Sequence, residues 1–130
     1  MGSMLAVARG ESVQLTNLRF AHSSTIVPLT TALGLFRDAE LLTHDLPQAQ
    51  IDARSFRTSQ VSPKAGHVAF VLYECAGQYL VKVLHNEKEV AVDGCDGETY
   101  CPLDVFVAAY QSYIQTDFDE LCAVPEGKLG

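Results

Sequence analysis

Leu18-Arg19-Phe20-Ala21-His22-Ser23-Ser24-Thr25, running into Ile26-Val27-Pro28-Leu29, is the stretch that decides the fold. Val13, Leu15, Leu18 and Phe20 lead into it, and they predict a strand over 13–21 whose alternation slips around Asn17. A histidine ends that strand and small hydroxyl residues follow. Ile26, Leu29, Leu33 and Phe36 then recur at helical spacing, which predicts a helix over 25–37. Ser23 or Ser24 is the expected cap. Pro28 is expected in the first turn, where its missing N–H costs little. This layout sets an imidazole and free backbone N–H groups at a helix N-terminus, which favours an anion such as phosphate. His22 is therefore the candidate ligand, with Ser24 and Thr25 as caps that can double as donors. The competing reading is a buried histidine satisfied by a backbone carbonyl.

Outward from this point the pattern is mixed. Residues 5–12 are weakly helical and end at Gly10. Gly34 lies inside the predicted helix and implies close packing there. Asp38 to Pro63 is long, polar and irregular, a length that is functional or hides short elements. His67 to Cys75 alternates Val68, Phe70, Leu72 with Ala69, Val71, Tyr73 and predicts a strand apolar on both faces. Ala76-Gly77 predicts a turn, and Tyr79 to His85 the partner strand of a hairpin. Asn86-Glu87-Lys88 is expected to turn into a short third strand over 90–92. Pro102 to Thr116 predicts a helix with Leu103, Phe106, Tyr110 and Ile114 as its buried stripe, and residues 117–121 extend or cap it. The expected fold is α/β, or α+β as an isolated fragment, in the order strand, helix, hairpin, helix. Residues 5–124 are expected to form one domain or part of one, with 1–4 an expression scar and 125–130 a tail. A strand feeding a helix belongs to a larger sheet, so the strand at 13–21 points to a piece of a larger domain.

Composition narrows the partners. The chain has 130 residues, 48% hydrophobic and 19% charged, with a formal net charge of −7. Such a chain folds rather than staying disordered. Its acidity argues against a general nucleic-acid binder and against a basic membrane patch, while leaving room for an anionic ligand held by a local field. No apolar run reaches the length of a membrane span. Four cysteines stand at 75, 95, 101 and 122 without a C-x-x-C pair, which favours two disulfides over a zinc site. Cys95 and Cys101 flank a turn-rich segment and make the close pair, leaving Cys75 with Cys122. The other pairings stay open, as do four reduced thiols. Disulfides imply an oxidising compartment: secreted, luminal or endolysosomal.

Several polar residues carry weaker signals. Arg54, Arg57 and Lys64 could face an anion but read best as a solvated loop. His44, His67 and His85 have no catalytic partner in the pattern. Asp117, Asp119 and Glu120 read as a solvated face. Asp93, Asp96 and Glu98 do not match a calcium loop. No metal or cofactor is expected.

Several segments together resemble a known family. Leu18-Arg19-Phe20-Ala21-His22-x-x-Thr25-x-x-Pro28-Leu29, Leu33-Gly34-Leu35-Phe36-x-Asp38, Phe70-Val71-Leu72-Tyr73-x-Cys75 and Val83-Leu84-His85-Asn86-Glu87 are four of them. Gly94-Cys95-Asp96-Gly97-x-x-x-Cys101-Pro102-Leu103-x-x-Phe106 and Phe118-Asp119-x-Leu121-Cys122 continue the series. In this order they resemble the C-terminal segment of the histidine acid phosphatases, in the branch of the multiple inositol polyphosphate phosphatases and phytases. The resemblance implies a large α/β domain with a helical cap, and removal of phosphate from phosphomonoesters in two steps. A nucleophilic histidine in an R-H-G-x-R motif takes the phosphoryl group, and a second histidine, here His22, binds it. An adjacent acid protonates the leaving oxygen. This sequence contains no R-H-G-x-R, and the acid's position falls on Ser24 or Ser23. A serine hydroxyl cannot replace a carboxylic acid as proton donor. The expected function is thus the C-terminal portion of a phosphomonoester hydrolase, inactive alone, that supplies a phosphate-binding histidine. The alternative is a non-catalytic phosphate-binding or scaffold module. The expected partners are a phosphorylated small molecule, such as an inositol phosphate, and the N-terminal half of the same protein. Self-association is expected as well.

Overall fold

The structure, a computed structural model, describes residues 2–123. Helix α1 (Gly2–Ala8) comes first and ends at Gly10, whose φ of 70° breaks it. Helix α2 (Ser23–Ala32) follows, then two short helices, α3 (Gln48–Ala53) and α4 (Thr58–Val61). The hairpin is β1 (Val68–Cys75) with β2 (Gln78–His85). β3 (Lys88–Val90), β4 (Tyr100–Pro102), α5 (Leu103–Ala109), α6 (Gln111–Ile114) and α7 (Phe118–Leu121) complete the order. The class is mixed α/β, helices with an antiparallel sheet.

Strand β2 is the centre of the sheet. β1 pairs along its whole length on one side, while β3 and β4 share the other. Two tight turns set this register. Ala76 and Gly77 have φ of 52° and 80°, and Asn86 and Glu87 have 48° and 67°. Paired positive φ values are those of two-residue hairpin loops whose twist matches the flanking strands. The second turn brings Lys88 opposite His85, so the third strand starts two residues earlier than expected. β4 was not expected from the sequence: three residues are too short for a periodic signal.

The core forms on the face that carries Phe70, Leu72, Val81 and Val83. Phe106, at 0% exposure, sits over it with its ring 6.1 Å from that of Phe70. Leu103 and Tyr110 follow at helical spacing and are also buried. The helix does not continue as one piece. Tyr110 has φ −109° and ψ 15°, α6 begins after it as a separate short helix, and Ile114 is exposed rather than part of the stripe. The Tyr110 hydroxyl donates to the Asp93 carbonyl at 2.9 Å, and burial pushes its pKa up to about 12.

The opposite face of β2 carries Lys82, which is buried although charged. Its ammonium lies 3.9 Å from the centre of the Tyr100 ring and pairs with Glu89. The hydrogen bond with Glu89 raises the lysine pKa and lowers that of Glu89.

Three expectations fail here. Residues 13–21 join no sheet among the described residues, and Val13, Leu15, Leu18 and Phe20 stay exposed. A strand exists only by pairing, and nothing described pairs with these residues. Second, Cys75 and Cys122 are two separate, exposed thiols. Cys75 ends β1 at the hairpin turn, and Cys122 follows α7, whose Phe118 and Leu121 face solvent instead of holding that end against the sheet. Third, Pro28 stands at the sixth position of α2, in its second turn, because the helix starts at Ser23. Cys95 and Cys101 do form a disulfide, with Cα atoms 5.4 Å apart. In a chain-entropy model such a short loop contributes about 2 kcal/mol. Residues 2–4 of the expected scar lie in α1, with Met4 packed against the core. The expected tail 125–130 lies outside the described residues.

Candidate functional site

His22 is the N-cap of α2. Its backbone is extended at φ −98° and ψ 171°, and its carbonyl accepts from the N–H of Thr25 at 2.9 Å and of Ile26 at 3.4 Å. The side chain makes no capping bond and the ring is exposed. Ser23 and Ser24 occupy the first two helical positions, where N–H groups have no preceding turn to bond. No acidic residue stands in the first turn to neutralise the positive end of the helix dipole. One short stretch thus collects an imidazole, unsatisfied N–H groups and the exposed hydroxyl residues Ser23, Ser24 and Thr25. Such a set suits the oxygens of a phosphate. No carboxylic acid is part of it.

The far end of α2 explains how this stretch is held. Thr30 is buried and its hydroxyl donates to the Val27 carbonyl, while Leu33 packs in the core. After Leu33 the chain reverses at Gly34, where φ is +76° and an added Cβ would strike the Asp93 carboxyl. Asp93 donates its N–H to the Leu33 carbonyl at 3.1 Å and its carboxylate meets Arg37 at 3.0 Å. Asp93 lies two residues before the disulfide. The C-terminal end of α2 is therefore tied to the Cys95–Cys101 loop, and the N-terminal end projects from that anchor.

A second locus lies in the long loop. Asp38 accepts from the N–H of Ser55 at 2.5 Å and of Phe56 at 3.1 Å, bonds that hold its carboxyl below the usual range. A groove of about 290 Å³ opens beside it, lined by Asp38, Glu40, Leu42, Leu46, Ile51 and Arg54 among others. His22 does not line it, so the candidate ligand lies on open surface.

The remaining expectations sort as follows. Arg57 donates to the carbonyls of Asp52 and Arg54, closing the end of α3, so it is part of the loop's own framework. Lys64 is an exposed turn residue. His85 is buried, its Nε2 2.7 Å from the Val61 carbonyl and its ring edge-on to Phe36 at 5.0 Å. It is the satisfied histidine, and it docks α4 on the hairpin. Asn86 assists: its side chain donates to the Gln60 carbonyl and accepts from the His67 N–H. His67 pairs with Glu87 at the surface, and His44 is exposed. Asp117 caps α7 by accepting from Asp119 and Glu120. Asp38 and Lys82 were not singled out as functional from the sequence. Asp38 closes the Leu33-to-Asp38 motif, and that was its only signal.

Residues 8–86 match the family model for the histidine phosphatase superfamily, branch 2. Multiple inositol polyphosphate phosphatase 1 of Dictyostelium discoideum is 41% identical over 117 residues, covering 87% of this chain and 18% of that protein. The Gallus gallus protein of the same name is 31% identical over 84% of this chain and 25% of its own length. Phytase A of Aspergillus oryzae is 27% identical over 68% of this chain and 20% of its own length. The chain thus spans about a fifth to a quarter of the length of these relatives. No solved structure matches it at a significant level.

Proposed function

Since the chain belongs to branch 2 of the histidine phosphatase superfamily, we propose that it supplies one wall of a phosphomonoester-binding site. The substrate class is an inositol polyphosphate or another phosphomonoester. His22 holds a phosphate oxygen, the N–H groups of Ser23 and Ser24 add donors, and Thr25 offers a hydroxyl. The observation that carries this reading is the exposed His22 ring beside the unneutralised start of α2. A phosphoryl group gathers negative charge on its oxygens, and preset donors stabilise it without reorganisation. The nucleophile, in this reading, comes from the remainder of a longer protein, and this chain alone hydrolyses nothing. The Cys95–Cys101 disulfide implies an oxidising compartment, and we assign the full protein to a secreted, luminal or endolysosomal one.

Ser24 favours a second reading. It stands where the resemblance expects an acid, and a serine hydroxyl cannot protonate an alkoxide leaving group at useful rates. The site then binds phosphate without turnover.

Titration of the 130-residue chain with inorganic phosphate and with phytate, followed by NMR of the His22 ring, tests the binding step. Weak binding is expected, with Kd of about 1 mM for phosphate, or about −4 kcal/mol. His22→Ala should abolish the shifts of the Ser23 and Ser24 amides. Unchanged amides in the wild-type chain at high phosphate would remove the proposal. In the full-length protein, phytate turnover selects the enzyme reading, and binding without turnover selects the second one.

A further inference from the structure

Helix α2 is fastened at one end. Thr30 and Leu33 are buried and Leu29 packs on the core, while residues 22–25 are exposed. Residues 13–21, which lead into the helix, pair with no strand among the described residues. The direction of α2 is therefore set where it ends. Its ten residues span about 15 Å, so a tilt of about 5° at that end displaces His22 by roughly 1 Å.

One residue holds that end from two sides. The Asp93 N–H donates to the carbonyl of Leu33, the C-cap of α2, at 3.1 Å. The Asp93 carbonyl accepts from the Tyr110 hydroxyl at 2.9 Å. Tyr110 is 4% exposed, and its ring lies 4.9 Å from that of the fully buried Phe106. Next to it, the backbone of Gly94 lies against the Ala109 side chain. Two hydrogen bonds thus run from the core, through the Tyr110 hydroxyl and Asp93, to the end of α2. A phenylalanine would fill the space of the ring equally well, so the hydroxyl serves the bond to Asp93 and not the packing.

We propose that Tyr110 is a positioning residue for His22. Its hydroxyl, acting through Asp93 and Leu33, fixes the direction of α2 and so the place of the imidazole against the opposite wall of the phosphate site. The functional half of this proposal rests on the phosphate reading of His22, whereas the direction of α2 does not. A misplacement of about 1 Å costs a site up to about 10²-fold. His22, Ser23 and Ser24 move as one body when the helix tilts, so their own affinity for phosphate is retained.

Residual dipolar couplings of the 130-residue chain report the direction of α2 against the β1–β2 hairpin. In Tyr110→Phe the amides of Ile26, Val27 and Leu29 to Ala32 should depart from the values that the hairpin's alignment predicts, while the hairpin amides keep theirs. Leu72→Ala weakens the core beneath β1 and leaves both bonds to Asp93 in place. It should lower the urea midpoint without moving the α2 couplings, which separates positioning from a general loss of stability. In the full-length protein Tyr110→Phe should weaken phytate binding about tenfold, and Leu72→Ala should leave it unchanged. In the unmutated chain the Asp93 amide should exchange slowly, because it is bonded to Leu33. A freely exchanging Asp93 amide overturns the proposal however the variants behave. So do α2 couplings that still fit the hairpin's frame in Tyr110→Phe, or full-length phytate binding equal to that of the parent. Absence of phosphate shifts in the unmutated chain strikes the His22 reading alone and leaves the result on α2 standing.

Discussion

Asp38 shows how one side chain can organise a loop that has no periodic pattern. Its carboxylate accepts two consecutive backbone N–H groups, from Ser55 and Phe56, across a span of seventeen and eighteen residues. Those bonds favour the ionised form, and the pKa lies below its ordinary 3.8. The sign follows from linkage: the contribution is complete above about pH 4 and disappears as pH falls through the lowered value. Acid unfolding of Asp38→Asn, followed by circular dichroism, should therefore begin at higher pH than in the parent chain and depend less steeply on pH. At the same scale, His22 and His85 divide the two readings that any histidine invites. His85 is buried against a carbonyl and an aromatic ring, while His22 is exposed at a cap. The motif spacing singled out His22 as the candidate ligand, but nothing in the residue type separated it from His85.

At the scale of elements, α2 was legible and its boundaries were not. Apolar spacing identified a helix, but the end was set by Gly34 meeting Asp93, a contact across fifty-nine residues. Gly34→Ala adds a Cβ at positive φ against the Asp93 carboxyl. It should cost about 2 kcal/mol, read as a lower urea midpoint. The hairpin was the clearest element in the sequence, because alternation over eight residues and a two-residue turn leave little choice of register. The sequence predicts an unbroken final helix, whereas the backbone leaves helical values at Tyr110, whose side chain bonds the Asp93 carbonyl and packs on Phe106 at 4.9 Å.

At the scale of the whole molecule, the exposed apolar residues of 13–20 matter most. Val13, Leu15 and Phe20 are each at least 94% exposed, and Leu18 is 74% exposed. Soluble surfaces rarely carry such a row unless something covers it. Brief digestion with chymotrypsin should cut first after Leu18 or Phe20 and leave the hairpin and α5 intact, as mass spectrometry of the fragments would record. First cleavage within β1 or β2 would contradict this picture. The acidic net charge, which argues against a general nucleic-acid binder, is a property of this same scale and says nothing about fold.

By itself the amino-acid sequence determined the hairpin, the existence of the helices around 25–32 and 103–109, the short disulfide and the family. These depend on local periodicity, turn chemistry and motif order. Only the tertiary structure decided that 13–21 pairs with no strand among the described residues, that Cys75 and Cys122 stay apart, and that Asp93 anchors α2. Pairing, bridging and anchoring each require two distant segments to meet, and packing alone determines which of them do.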